Sequence, residues 1–413
     1  MWFELIKEFL ADLRTHRTRA LLTLVAITWG TITVVLLLSF GEGLGNRMQA
    51  GTLNAGNRIM ILYGGETGKQ FEGMPKGRKI RMVEDDVEIL AAAIPMIARI
   101  SPQYMDGVEL AYGRERTNTT CEGVNPEFEE MRRMYPMAGG RFLNSVDVAE
   151  QRRVVVLGVK IAGQLFGTAD PIGLTLQVNG LPFRVVGVLQ DKLQTSMNNG
   201  PDTYRVIMPY TTFRTTYGPE RVNSIVVSPS DPSQQLALKS EIFRVLARKY
   251  HFDPTDERTL FIWDFLEQEK MGQKISFGMS IFLGGMGFLT LLIGGVGVAN
   301  VMYVVVKERT REIGIRLAVG ARKIHIMAQI IFEALLLAFL GGGAGILVSW
   351  GVVALVRSIP AADGPMQFFN RPELSPGILL LTTGILAFLG LLAGYFPARK
   401  AASLDPVESL RYE

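Results

Sequence analysis

The chain has 413 residues, 48% apolar and 20% charged, with a formal net charge of +4 and a mean hydropathy of +0.22. This is too apolar for an ordinary soluble protein and too charged for one immersed wholly in lipid, so a membrane protein with a large aqueous part is indicated. The single cysteine, Cys121, excludes an intrachain disulfide and a cysteine-based metal cluster.

In chain order, WFELIKEFLADL (residues 2–13) gathers Trp2, Phe3, Leu5, Ile6, Phe9, Leu10 and Leu13 on one helical arc opposite Glu4, Lys7 and Glu8. The segment 1–20 is therefore expected to hold an amphipathic helix lying on a membrane surface. Four uncharged stretches follow, each long enough to cross roughly 30 Å of hydrocarbon. They are 21–40, 275–306, 334–356 and 375–396. The first is too long, and lies too far from Met1, to be a cleaved signal peptide, and reads as an uncleaved anchor.

Basic residues set the expected orientation. Lys7, Arg14, Arg17 and Arg19 precede the first span, six Lys/Arg fill 307–323, and Arg399, Lys400 and Arg411 follow the last. The short loop 357–374 carries only Arg357 and Arg371. Both termini, the 307–333 region and the 397–413 tail are expected in the cytoplasm, with 41–274 and 357–374 outside. The 41–274 segment balances 28 basic against 28 acidic residues, so the whole positive excess lies in the inner segments and gives no reason to invoke nucleic acid.

The outer segment alternates element types. Strands are expected over 57–63, 152–159, 174–189 (with Asn179-Gly180 as a hairpin turn), 223–228 and 258–265. Helices are expected over 83–94, whose acidic first turn suits the helix dipole, and over Gln234 to Lys249. The reading is two α/β subdomains, with about 122–200 inserted into the other.

The second span is too long for one bilayer crossing and is expected to project outward as a stalk. Its Gly284, Gly287, Gly294 and Gly295 share an arc of about 100° and form a smooth packing face. GGGAG (341–345) and the Gly390, Gly394 pair offer similar surfaces. Glu333, the one carboxylate near a span interior, is expected to snorkel at the interface. GGETGKQ (64–70) departs from a phosphate loop at Gln70 and at its first glycine, and reads as a surface loop. His16, His251 and His325 are too scattered for a metal site, and no catalytic constellation emerges from spacing.

Between the second and third spans lies KERTREIGIRLAVGARK, residues 307–323. Positions 309–319 can form a short helix with Ile313 and Leu317 on one side, a Glu312–Arg316 pair elsewhere and Gly320 at its end. Rigidly held by two spans, it suits insertion into a groove on a soluble partner. The continuation to GGGAGI resembles the signature of the MacB/FtsX-like permease family of ABC transporters, and FPARKAASLDPVESLRYE resembles its C-terminal tail. GGRFL, RVVVLG, LFG, PIG, NGLPFRVVGVL and MPYTTF resemble its periplasmic core domain.

The resemblance implies one span, a large α/β extracytoplasmic domain and three further spans in a bacterial inner membrane, assembled as a homodimer or close heterodimer. It implies that 307–323 is a coupling helix for two ABC ATPase subunits, which would bind ATP and Mg, with Arg309, Arg311, Glu312, Ile313, Gly314, Arg316, Leu317, Gly320 and Arg322 as coupling residues. Because Met1 leads directly into the surface helix, the ATPase is expected to be a separate chain. Asp405, Pro406 and Glu408 fit N-cap, N1 and N3 of a last short helix which, with Leu410, forms a second cytoplasmic contact. The implied work is efflux of an amphiphile, antibiotic or peptide toward a periplasmic adaptor and outer-membrane duct by mechanotransmission. A lipoprotein-releasing permease and an FtsX-like regulator of cell-wall hydrolases are the alternatives.

Overall fold

The computed structural model describes residues 17–194, 200–218, 222–359 and 371–403. The surface helix expected over 2–13 and the tail residues Asp405, Pro406, Glu408 and Leu410 lie outside the described residues. Two compact units divide the chain, one of 48–272 and one combining 1–47 with 273–413.

In chain order, α1 (Arg17–Ala55) is followed by β1 (Met60–Gly64), α2 (Asp85–Ala93), β2 (Ile97–Tyr112), β3 (Glu115–Val124), α3 (Phe128–Arg132) and α4 (Ser145–Ala149). Next come β4 (Val154–Leu157), α5 (Val159–Phe166), β5 (Thr175–Val178), β6 (Leu181–Val188), β7 (Arg205–Pro209) and α6 (Tyr210–Tyr217). The chain continues through β8 (Ser224–Pro229), α7 (Gln235–Tyr250), β9 (Leu260–Asp264), α8 (Phe265–Glu308), α9 (Thr310–Ala318), α10 (Lys323–Ser358) and α11 (Pro376–Ala402).

The strands of the 48–272 unit run in the order β3-β7-β4-β6-β5-β2-β8-β1-β9, and an additional β3–β2 pairing closes the first six into a ring. β2 belongs to both parts. Its first half pairs with β8 through Ile100↔Val227 and Gln103↔Ser224, and its second half pairs with β3 from Tyr104↔Gly123 to Tyr112↔Glu115. The ring thus begins at Tyr104, earlier than the expected insertion at about 122, because the long β2–β3 hairpin supplies its first two strands. Asn179 (φ 47°) and Gly180 (φ 80°) make the left-handed pair of a tight hairpin turn between β5 and β6.

Alternation along the strands feeds two cores. Met60, Leu62, Val155 and Leu157 enter one, while Ile61, Val154 and Val156 enter the other with Phe128 and Phe265. A buried polar network fastens the chain that follows β6. Asp202 pairs with Arg132 at 3.0 Å and with Lys192 at 2.8 Å, and Arg205 pairs with Glu122. The Lys192 ammonium also donates to the Arg132 carbonyl at 2.6 Å. Asn54, near the end of α1, donates to the Leu193 carbonyl at 3.1 Å.

The GGETGKQ segment is tied to this unit by a carboxylate of the chain itself. The Gly68 and Lys69 amides donate to Asp256 Oδ2 at 2.6 and 3.0 Å, and Lys69 Nζ donates to Thr255 Oγ1 at 2.6 Å. Its anion-binding amides are therefore spent locally.

In the other unit, α1, α8, α10 and α11 are each long and apolar enough to cross a membrane. Ile27, Val34, Leu291, Met302, Ile330, Leu337, Leu386 and Ala393 build their common core. A Cβ on Gly287 would stand 2.8 Å from Val34 Cγ2, so here the bare backbone is needed. Gly284 and Gly294 also face α1 but at 3.8 and 3.6 Å, whereas Gly295 faces Leu389 of α11 at 3.7 Å. Closer approaches between spans lie elsewhere, at Gly342 against Leu386 and at Gly345 against Thr31 (2.6 Å).

Candidate coupling site

α8 gives way to α9 at Arg309, whose carbonyl accepts from Ile313 N at 2.9 Å. α9 ends in a paired cap, with Ala321 N donating to Arg316 O at 2.9 Å and Gly320 N to Leu317 O at 3.0 Å. Gly320 adopts φ 95°, which only glycine takes without strain, so it stops the helix and turns the chain into α10.

Five polar side chains form the network that locks α9 and its N-cap onto α10. Arg309 Nη1 donates to Glu333 Oε1 at 3.0 Å, and Gln329 Nε2 reaches the same oxygen at 3.3 Å. Arg316 donates to Gln329 Oε1 at 2.8 Å and to Glu312 Oε1 at 2.5 Å. The Glu333 side chain is only 5% exposed and that of Arg309 19%. The space among these groups, about 20 Å³, admits nothing larger than a water molecule. This is a fastening and not a ligand pocket. Burial in protein, with its charge paired, replaces the interfacial snorkelling expected of Glu333.

The apolar residues divide differently from the sequence reading. Ile313 is 7% exposed and packs with Met302, Val306, Ile326 and Ile330, and Leu317 is half-buried against the same core. The Ile313/Leu317 ridge is thus spent inside the chain, since the turn at Gly320 folds α10 over that side, and Gly314 is buried with it. The exposed apolar residues are Ile315 (47%) and Val319 (85%), flanked by exposed Arg311, Glu312, Gly320 and Arg322.

Sequence reasoning missed Gln329 and the pairing of Glu333 with Arg309. The signal was present as two stripes, Arg309, Glu312 and Arg316 at spacings of three and four on α9, and Gln329 with Glu333 four apart on α10. At this same end of α8, its last residue, Glu308, meets Arg19 of α1 at 3.2 Å on the surface.

Residues 20–244 match the family model described as MacB-like periplasmic core domain, and residues 284–406 match the one described as FtsX-like permease C-terminal. The chain is 30% identical over 416 residues to the macrolide export ATP-binding/permease protein MacB of Wolinella succinogenes, covering 100% of this chain and 61% of that one. It is 32% identical over 402 residues to the protein of the same name from Hahella chejuensis, covering 97% and 58%. The chain thus spans about three fifths of the length of these relatives. The crystal structure of the periplasmic region of MacB from Actinobacillus actinomycetemcomitans aligns with 54% of this chain and 94% of its own, at 21% identity and a TM-score of 0.42. With one family model over the extracytoplasmic α/β domain and the other over the later membrane helices, the chain belongs to the MacB/FtsX-like family of ABC transporter permeases.

Proposed function

We propose that the chain is the permease subunit of an ATP-driven exporter in a bacterial inner membrane, with α9 and both termini in the cytoplasm. ATP and Mg are bound and hydrolysed on a separate ABC ATPase subunit that docks on α9, and the permease works as a dimer of identical or closely related chains. Its nucleotide-driven movement is passed to the outer domain and drives an amphiphile, antibiotic or peptide toward a periplasmic adaptor and outer-membrane duct. Macrolide export in the names of the relatives supports the substrate class.

One observation carries this reading: α9 is clamped by the Arg309–Glu333 pair while leaving Ile315 and Val319 exposed. A helix so held hands a displacement to α8 and α10 instead of absorbing it. Apolar side chains in such a position gain by leaving water for a partner groove. The test is I315D/V319D, which would place two carboxylates in that groove without partners. The variant should insert, keep wild-type thermal stability, and lose both co-purification with the ATPase and export. Retention of both would leave α9 as a topology-setting loop and remove the coupling role.

A further inference from the structure

A groove of about 670 Å³ lies along β4 and β6 of the outer domain, well apart from α9 in sequence and in role. Four arginines line it, Arg141, Arg152, Arg153 and Arg184, and its floor is bare backbone at Gly139, Gly140 and Gly173. The first two arginines are already matched. Asp147, itself buried, takes Arg141 through two bonds of 2.5 and 3.0 Å and stands 3.9 Å from Arg152, which also bonds Glu150 at 2.8 Å. Asp147 also accepts from the Asn144 amide at 3.0 Å, so the carboxylate that orients Arg141 is itself fixed.

Arg153 and Arg184 have no side-chain partner among the described residues. Both line the groove, and their main chains adjoin where Val154 pairs with Arg184 across the parallel β4–β6 ladder, the Arg184 amide donating to the Arg153 carbonyl at 2.9 Å. Arg184 Nη2 lies 3.7 Å from where a Cβ on Gly173 would stand, so its guanidinium lies close over exposed main chain. Four guanidinium groups against two carboxylates leave a charge of two uncompensated in one concave site. A single carboxylate would neutralise one of them. A phosphoryl dianion matches both and offers three oxygens to planar, forked donors.

We infer that this groove binds a phosphomonoester-type dianion, with Arg153 and Arg184 as its two charge partners and Arg141 and Arg152 as pre-oriented walls. The groove's volume, well above that of a bare phosphate, accommodates the group to which the phosphoryl is attached. The source is either a soluble phosphomonoester or the headgroup of a phosphomonoester lipid.

The full chain in phosphatidylcholine nanodiscs, dialysed against radiolabelled inorganic phosphate, should show saturable uptake of one equivalent per chain. R153Q/R184Q should weaken it by at least about tenfold, the loss of charge-assisted hydrogen bonds. R153Q and R184Q singly should each give part of that loss, and R116Q, an exposed arginine paired with Glu109 elsewhere, should give none. Competition by glycerol 3-phosphate supports the site with a soluble ligand. Loss of uptake in nanodiscs doped with phosphatidic acid, with no effect of glycerol 3-phosphate, supports it with a lipid. Absence of saturable uptake by the wild-type chain, or equal uptake by R153Q/R184Q, overturns the assignment.

Discussion

Arg309 and Glu333, 3.0 Å apart and largely withdrawn from solvent, fasten the junction of α8 and α9 to the interior of α10. Removing one member of a buried pair leaves the other charge without compensation, whereas replacing both costs far less. Glu333→Leu should therefore destabilise the helical unit by about 3–5 kcal/mol, and R309M/E333L by much less than the sum of the two single changes. Unfolding temperatures of the four proteins of this cycle in one detergent measure the coupling; additive losses would mean that the pair carries no energy of its own.

Two isoleucines two positions apart on α9 should separate stability from coupling. Ile313→Ala empties a packed site and should cost about 2–4 kcal/mol. Ile315→Ala, at an exposed position, should stay within about 0.5 kcal/mol of wild type. Thermal unfolding beside ATPase co-purification distinguishes them: Ile313→Ala should lower the first, and Ile315→Ala should weaken only the second.

Two glycines two positions apart on α10 make a sharper contrast. A methyl group on Gly345 would meet Thr31 Cβ and the Thr28 carbonyl at 2.6 and 2.8 Å, whereas one on Gly343 would meet nothing within 4 Å. Gly345→Ala should cost about 1–3 kcal/mol through overpacking, and Gly343→Ala should be neutral or stabilising by up to about 1 kcal/mol through helix propensity. Equal unfolding temperatures for the two variants would mean that α1 and α10 are not in close contact at Gly345.

Lys192 should add to the stability of the outer domain as pH rises above neutrality. Burial, opposed by the nearby Asp202 carboxylate, pushes the Lys192 ammonium down to about 8. Between that value and the ordinary lysine range near 10.4, the unfolded chain holds a proton here that the folded chain has released, so this group's contribution to stability increases with pH across the window. Above about pH 10 the sign reverses. Burial raises the phenols of Tyr104 and Tyr250, and lifts that of Tyr217 to about 12, so the folded chain keeps protons that the unfolded chain loses. Cys121 is fully buried in the folded domain and reports its opening. Burial also raises the Cys121 thiol, which opposes the lysine from about pH 8.5 upward, so pulsed thiol labelling in urea should show the wild-type midpoint rising relative to that of Lys192→Met between about pH 8 and 10. A midpoint with the same pH dependence in both would exclude Lys192 as the source.

Element type was legible in the sequence wherever one physical constraint dominated. The four apolar runs announced membrane helices, and Asn179-Gly180 between alternating strands announced its hairpin. β2 and β3 escaped notice because much of the β3 hairpin arm is exposed and polar, as in ERTNTT, so alternation is weak there. At the coupling site the existence of α9 and its stop at Gly320 followed from local chemistry. Which face turns inward did not, because Ile313/Leu317 and Ile315/Val319 are equally spaced pairs on one short helix. Only the direction taken by the chain after Gly320 decides between them, and that direction depends on packing between residues distant in sequence. The same holds for Arg309 and Glu333, each legible as part of a polar stripe but joined only by tertiary structure.

The double membership of β2 limits how this permease can be recombined with its relatives. A crossover within Ile97–Tyr112 would place a foreign edge against both β8 and β3, disturbing two hydrogen-bond ladders at once. The ring strands therefore do not form a cassette that can be lifted out by cutting near residues 122 and 200. The smallest exchangeable block is the whole 48–272 unit, whose borders fall inside α1 and α8. Chimaeras that trade outer-domain specificity should be joined within those two helices, with the helical phase kept intact across each junction.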